Sequence, residues 1–287
     1  GSDRSSSGKR MESGLTGNVS PRLGKGTGYH DKKQILQWLE MAVMEEKKKR
    51  KTIRLDRYLA EMQVGSRSQV KNLIRQRQVT VNGQTVLRPE TQVLAGSDCI
   101  TVRGQQICYV QTEYYMMNKP AGVVSATKDT REKTVLDLLK DAKRNDLFPV
   151  GRLDKDTVGL LLITNDGELA HRLLSPGRHV DKVYEAAIKG RVTGQDVDAF
   201  AAGVDIGDDK PCLPANLTIL ESGEISRVRI KIREGRYHQI KRMFQAVEKE
   251  VLFLKRLSMG NLKLDETLKE GEARPLTPEE TERLKAL

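Results

Sequence analysis

A short polar loop, GRLDKDT at Gly151 to Thr157, interrupts two apolar runs with the composition of strands, Phe148 to Val150 and Leu160 to Thr164. Asn165-Asp166-Gly167 then turns the chain, and Glu168 to Leu174 has the spacing of a helix. Upstream, Tyr114 to Asn118 reads as a strand, Lys119 to Gly122 as a turn and Val135 to Leu139 as a helical stretch. Strands and helices alternate at irregular spacing, and short polar turns separate the strands. That pattern predicts an α+β fold on a mixed, largely antiparallel sheet instead of a doubly wound parallel one. At 287 residues the chain has room for roughly two domains, each with its own core.

The second domain precedes the first in sequence. Leu55, Tyr58, Leu59 and Met62 mark one apolar helix face, Gly65 breaks the run, and Ser66 with Gln69 forms a capping-box signal for another helix. On that helix Arg67, Lys71 and Arg75 recur every four residues, each rotated by only about 40° from the last, so the three cations share one stripe. Val70, Leu73 and Ile74 form a separate apolar stripe, so the helix docks on one side and presents charge on another. Val79-Thr80-Val81, Asn82-Gly83 and Gln84-Thr85-Val86 then spell a hairpin with a type I′ turn, and a further strand is expected around Ile100 to Val102. The expected boundaries are a linker extension over residues 1–51, a helix-helix-hairpin domain over 52–110 and the sheet domain over 112–287.

Within the extension, the Gly- and Ser-rich first thirty residues bury too little apolar area to offset chain entropy and are expected to be disordered. The opening Gly-Ser has the look of a tag remnant. Ile35, Trp38, Leu39 and Ala42 have helical spacing and run into a basic tail ending at Lys51. The glycines from Gly24 to Gly28 lack the spacing and the Lys-Ser/Thr pair of a phosphate loop.

Charge separates these parts. Residues 1–51 hold 12 Lys and Arg against 6 Asp and Glu, residues 52–110 hold 8 against 4, and residues 111–287 hold 30 against 29, giving net charges of +6, +4 and +1. A basic front end on a nearly neutral body suits a polyanionic partner gripped by one segment while another acts on it. No apolar run approaches the ~20 residues of a membrane span, and no signal peptide is visible, so a cytoplasmic protein is expected. Cys99, Cys108 and Cys212 form neither a CxxC pair nor a zinc pattern and are expected to be packing residues.

Two acids in a loop between apolar strands place a carboxylate at a rigid edge, and Asp154 is the candidate, against the plainer alternative of an Asx turn or helix cap. Downstream, GRYHQIKRMF gathers Arg236, His238, Lys241 and Arg242 beside apolar Ile240, Met243 and Phe244, as at the start of a helix that could offer Asp154 a cation. His238 alone is taken as structural. Serine-hydrolase, zinc-protease and calcium-loop motifs are lacking, the four histidines are scattered, and neither a metal nor a cofactor is expected. Asp154 and Asp156 are too close in one loop to be assumed to straddle a bond as a glycosidase pair.

Two resemblances sharpen this reading. RLDRYLAEMQVGSRSQVKNLIRQRQVTVNGQTV resembles the small RNA-binding domain named after ribosomal protein S4, in which the capped basic helix and hairpin meet structured RNA. The likeness implies RNA contacts from Arg54, Ser66, Arg67, Ser68, Lys71, Arg75 and Asn82, although the Gly that usually leads into the hairpin is missing near Gln78. GRLDKDTVGLLLITNDGELAHRLLSP, with YYMMNKPAGVVSA, VYEAAIKGRV and EGRYHQIKRMF, resembles the pseudouridine synthases that modify ribosomal RNA, and most closely the small-subunit (16S) branch. That likeness implies catalytic roles for Asp154, for Tyr184 as the active-site tyrosine and for Lys241 as the basic partner where other branches place Arg. Arg152 matches an Arg that helps to fill the space left by an extruded base. It implies a cofactor-free monomer acting on ribosomal RNA, within a small-subunit assembly intermediate. A large-subunit (23S) target and a catalytically inactive ribosome-associated RNA-binding protein remain the alternatives.

Overall fold

The computed structural model describes residues 52–287; the helix expected over residues 33–51 and the disorder expected of the first thirty residues lie outside the described residues. The chain begins with β1 (Thr52–Arg54), α1 (Leu55–Glu61) and α2 (Arg67–Arg75). β2 (Val79–Val81), β3 (Gln84–Thr85), β4 (Gln92–Leu94), β5 (Ile100–Val102) and β6 (Gln105–Ile107) follow. The strand order β3-β2-β5-β6 forms one antiparallel sheet, and β1 pairs with β4.

Local chemistry accounts for each turn of this part. The Gln69 N–H donates to Ser66 Oγ at 3.3 Å while the Ser66 N–H donates to Gln69 Oε1 at 2.8 Å, closing the capping box at the start of α2. Val70 and Ile74 are buried against Leu55, Tyr58 and Leu59 of α1. Asn82 at φ 52 and Gly83 at φ 79 supply the left-handed pair that a two-residue hairpin requires. The missing Gly before the hairpin is replaced by Arg77 at φ 61: its N–H donates to the Ile74 carbonyl and the Gln78 N–H donates to that of Leu73. These two bonds are a Schellman closure of α2 with a non-glycine at its left-handed position.

The larger part contains β7 (Tyr114–Lys119), β8 (Phe148–Pro149), β9 (Val158–Thr164), α3 (Gly167–Leu174), β10 (Lys182–Lys189) and α4 (Gly194–Ala202). It continues with β11 (Asn216–Glu221), β12 (Ile225–Ile232), α5 (Gln239–Ala246), β13 (Glu250–Met259), β14 (Leu262–Lys263), β15 (Ala273–Pro275) and α6 (Pro278–Lys285). The expected helical stretch at Val135 to Leu139 is a single 3-10 turn, Leu136–Leu138. The main sheet runs β11-β12-β10-β13-β9-β7-β15, with β14 beside β13 and β8 beside β9. Every pairing is antiparallel except β9 with β13, so the sheet is mixed and largely antiparallel.

β9 is buried along its whole length, which explains its unbroken apolar run: both faces are covered. Leu160 and Leu162 pack with Met116 under α3 and α6, while Leu161 and Ile163 pack with Tyr115, Met117 and Leu147 on the other face. A second core joins Tyr184, Ala186 and Ile188 of β10 and Val228 and Ile230 of β12 to Phe200 of α4 and Phe244 of α5. The cysteines do not all pack as expected: Cys212 is buried, but Cys99 and Cys108 are exposed because both lie on short surface segments of the small front sheet.

At the parallel junction Gly159 lies opposite Arg256 at φ 99. A Cβ there would stand 2.3 Å from the Arg256 carbonyl oxygen and 2.8 Å from its backbone nitrogen, which no side-chain rotation relieves. Gly159→Ala is expected to cost on the order of 3 kcal/mol or more in urea unfolding, by adding this collision to the left-handed strain. An unchanged midpoint would show that β9 and β13 approach less closely than this.

A polar clasp links the front part to the sheet. Arg144, only 4% exposed, donates through Nη1 to the Val110 carbonyl, lies 3.1 Å from Glu61 at the end of α1 and grips Asp146 through Nε and Nη2. Gln63 Nε2 donates to the carbonyls of Ala142 and Arg144, and Asn145 Nδ2 donates to that of Ala60. Partnering the buried guanidinium so completely fixes this joint, since an unpaired buried charge is strongly unfavourable.

Candidate active site

The loop Gly151 to Thr157 crosses from β8 to β9 and is held by its backbone, which frees its acidic side chains. Leu153 plugs into the core, and Ser125 Oγ both accepts from the Leu153 N–H at 3.1 Å and donates to the Leu153 carbonyl at 3.0 Å. Beneath it lies Lys119, the last residue of β7, with 0% exposure. Its Nζ donates to the carbonyls of Pro120, Asp154, Lys155 and Thr157 at 2.8 to 3.3 Å. Burial pushes the Lys119 ammonium down to about 8, and the Asp156 and Asp154 carboxylates oppose that fall. A buried cation collecting four carbonyls is a rigid strut under the loop.

Above the strut, Asp154 Oδ2 stands 3.2 Å from Lys241 Nζ, in the first turn of α5. The same ammonium is 2.6 Å from Asp156 Oδ1, so one lysine serves two carboxylates. Burial works to lower the Lys241 pKa, but its hydrogen bonds to Asp156 and Asp154 outweigh it and hold the ammonium above the ordinary lysine value. The bond from Lys241 likewise holds Asp156 below the usual carboxylate range, against a smaller opposing effect of burial. Asp156 is 71% exposed and is not among the residues that line the cleft, whereas Asp154 is.

Tyr184 forms the floor. It is 7% exposed, sits on β10 where the pairing with β13 slips by one residue between Val183 and Tyr184, and makes no hydrogen bond through its hydroxyl among the described residues. Such a bulge re-aims a side chain without breaking the strand. Arg152, Asp154, Tyr184, His238, Lys241, Ile232 and Leu254 line one open cleft. Arg152 is exposed and takes no hydrogen bond or ion pair within the described protein.

The fold places Arg152, Asp154, Tyr184 and Lys241, the residues expected of the site, around one cleft together with His238, which the sequence reading treated as structural. In the fold His238 caps α5 in a left-handed conformation, and its Nε2 lies 3.5 Å from Asp154 Oδ1. Arg236 and Arg242, from the same cationic segment, instead bind Asp208 and the carbonyls of Ile206, Lys210 and Pro211. Lys119 and Ser125 were missed; a lysine ending an otherwise apolar strand was the available signal for the first.

The remaining predicted residues form a separate group on the front part. Arg67 and Arg75 are exposed, Lys71 is half-buried, and none of the three makes a side-chain hydrogen bond or ion pair among the described residues. Ser68 is exposed beside them. Ser66 is occupied as the cap of α2. Arg54 is engaged with Asp56 through Nε and Nη2 at 3.0 and 2.8 Å, and the Asn82 side chain bridges Asp98 and the Cys99 N–H, so these two also hold the fold in place.

Residues 113–246 match the family described as RNA pseudouridylate synthase, and residues 53–99 match the S4 domain. An RNA pseudouridine synthase of Bacillus subtilis is 45% identical over 231 residues, covering 79% of this chain and 96% of the relative. The ribosomal small subunit pseudouridine synthase A of Yersinia pestis is 39% identical over 235 residues, 79% of this chain and 96% of its own. The ribosomal large subunit pseudouridine synthase B of Bacillus subtilis is 38% identical over 237 residues, 82% of this chain and 96% of its own. A crystal structure of a pseudouridylate synthase, 38% identical, superposes with a TM-score of 0.57 over 81% of this chain and 99% of that one.

Proposed function

We propose that this chain, which belongs to the RNA pseudouridine synthases and is an isomerase, converts a uridine of small-subunit (16S) ribosomal RNA to pseudouridine using the Asp154 carboxylate. The observation that carries the assignment of roles is the Asp154–Lys241 pair, 3.2 Å apart in the cleft floored by Tyr184. In the reaction the bond between N1 and the sugar carbon breaks, the uracil turns in place, and C5 joins the same sugar carbon. C5 then gives up its proton and N1 takes one. Atoms balance without an oxidant or energy source.

Asp154 acts as nucleophile at the glycosidic carbon or as base at the neighbouring sugar carbon, and either role needs one carboxylate in contact with the sugar. Lys241 holds its charge beside that carboxylate as a point cation. Tyr184 offers the detached uracil a ring to lie against and a hydroxyl near the later proton removal. The target nucleotide leaves its stack to reach the cleft, at a cost of a few kcal/mol that protein contacts offset, and Arg152 enters the space it vacates. In this proposal residues 52–110 grip the RNA and residues 112–287 isomerise it. The substrate is an assembly intermediate in the cytoplasm, met by a single copy of the chain. Among the described residues no helix is long and apolar enough to cross a membrane.

The small-subunit target is supported by the likeness to the synthase A of Yersinia pestis and by Lys, where other branches have Arg, at position 241. A large-subunit target is the second reading, because the synthase B of Bacillus subtilis is about as similar. Incubating the protein with 16S and 23S transcripts and mapping a pseudouridine-specific carbodiimide adduct decides between them. One modified nucleotide in 16S RNA is the expected outcome. Adducts confined to 23S RNA would transfer the assignment to the large subunit.

A further inference from the structure

Tyr237 is the most exposed of the large hydrophobic side chains among the described residues, at 76%, and yet it is firmly held. Its ring lies flat on the imidazole of His238, centroids 3.8 Å apart and planes 17° from parallel. His238 takes φ 48, a conformation non-glycine residues seldom adopt, and lines the cleft, with Tyr237 stacked on it. The same imidazole stands 3.5 Å from Asp154 Oδ1. The backbone on either side is fixed: the Tyr237 carbonyl accepts from Arg242 Nη1 at 3.2 Å, and the Arg236 N–H donates to Gln239 Oε1 at 3.0 Å. One face of the tyrosine ring is covered by the imidazole, and its hydroxyl makes no hydrogen bond within the described protein.

We infer that Tyr237, backed by His238, is the stacking platform for a nucleobase that neighbours the target uridine in the RNA. Extruding one nucleotide leaves its neighbours with an uncovered face, and an exposed aromatic ring restores that lost contact whatever the base. The 3.8 Å separation of the two protein rings is close to the spacing of stacked bases, about 3.4 Å, so a base on the outer face of Tyr237 extends a stack whose inner member borders Asp154. Arg152, exposed and without a partner among the described residues, lines the cleft that His238 borders and is available to the phosphate joining the two nucleotides. A protein partner fits less well: Tyr237 is a single ring on a segment whose Arg236 and Arg242 are charged and paired with Asp208, and Arg242 donates to the Tyr237 carbonyl.

The inference rests on the assignment of the cleft to ribosomal RNA, and its test uses the RNA fragment that the wild-type chain modifies. Tyr237→Ala is expected to raise Kd and KM roughly 5- to 100-fold, the loss of one base–aromatic stack. Saturated turnover should stay within about 3-fold, as for an interaction kept from ground state to transition state. Tyr237→Phe should match wild type, because stacking needs the ring and not the hydroxyl. With 2-aminopurine placed on either side of the target, binding should quench the fluorescence at one of the two positions for wild type and Tyr237→Phe, and at neither for Tyr237→Ala. Unchanged affinity in Tyr237→Ala, or an equal loss in Tyr237→Phe, overturns the inference. Failure of the wild-type chain to modify any ribosomal RNA overturns the RNA assignment and the platform with it, so the two failures are distinct.

Discussion

Asp154→Asn is expected to abolish pseudouridine formation, by at least about 10³-fold, while RNA affinity stays within a few-fold of wild type. Asparagine has the shape of aspartate but is neither a nucleophile nor a base. The loop itself should survive the change, because it is held by backbone bonds from Lys119 and Ser125 and by the buried side chain of Leu153, none of which involves the Asp154 carboxylate. Lys241 keeps a carboxylate partner in Asp156 at 2.6 Å, so no uncompensated cation is left in the cleft. Asp156 does not stand in for the lost group, since it is 71% exposed and is not among the residues that line the cleft. The measurement is release of tritium from RNA labelled at C5 of uridine, with filter binding for affinity. Turnover above one-hundredth of wild type would remove Asp154 from the chemistry, and collapse of RNA binding would make its role one of grip.

The elements legible in the sequence were those whose causes are local. The Ser66–Gln69 box, the Asn82-Gly83 turn and the stripe on α2 each depend on residues within one or two turns of each other, and the fold reproduces them. The unbroken apolar run of β9 was equally plain. What lay hidden was set at long range. β10, β11, β12 and β13 came from no periodicity argument, and the parallel pairing of β9 with β13 joins segments that only tertiary packing brings together. Lys119 illustrates the difficulty: a lysine is normally read as surface, and only the arrival of four loop carbonyls around its Nζ makes burial possible. His238 was set aside for the same reason, because a lone histidine carries no signal until the fold brings an acid beside it. Tyr184 entered through family likeness alone, and the bulge that turns it into the cleft has no local signature.

Replacing Arg67, Lys71 and Arg75 together by Ala should weaken RNA binding and flatten its salt dependence, which separates a true phosphate grip from an ordinary charged surface. Other arginines and lysines among the described residues are paired: Arg227, Arg229, Lys231 and Arg233 pair with Glu185, Glu221 and Asp181. The three on α2 have no ion pair among the described residues, and the helix that carries them is anchored by Val70 and Ile74, so their charge is presented on a rigid base. If each meets one phosphate, removing all three lowers the slope of log K against log salt by about 2 to 3, at 0.7 to 0.9 per contact. Between 50 and 200 mM salt the gap between wild type and the triple variant should therefore shrink by roughly 20- to 40-fold. Turnover at saturating RNA should be retained, because the cleft around Asp154 is untouched, while KM rises. Arg75 lies in the last turn of α2, where a cation favours the helix end by only a few tenths of a kcal/mol, so the melting temperature should move little. A slope identical to wild type, with the protein folded, would mean that this stripe is merely solvated and that the RNA is held elsewhere.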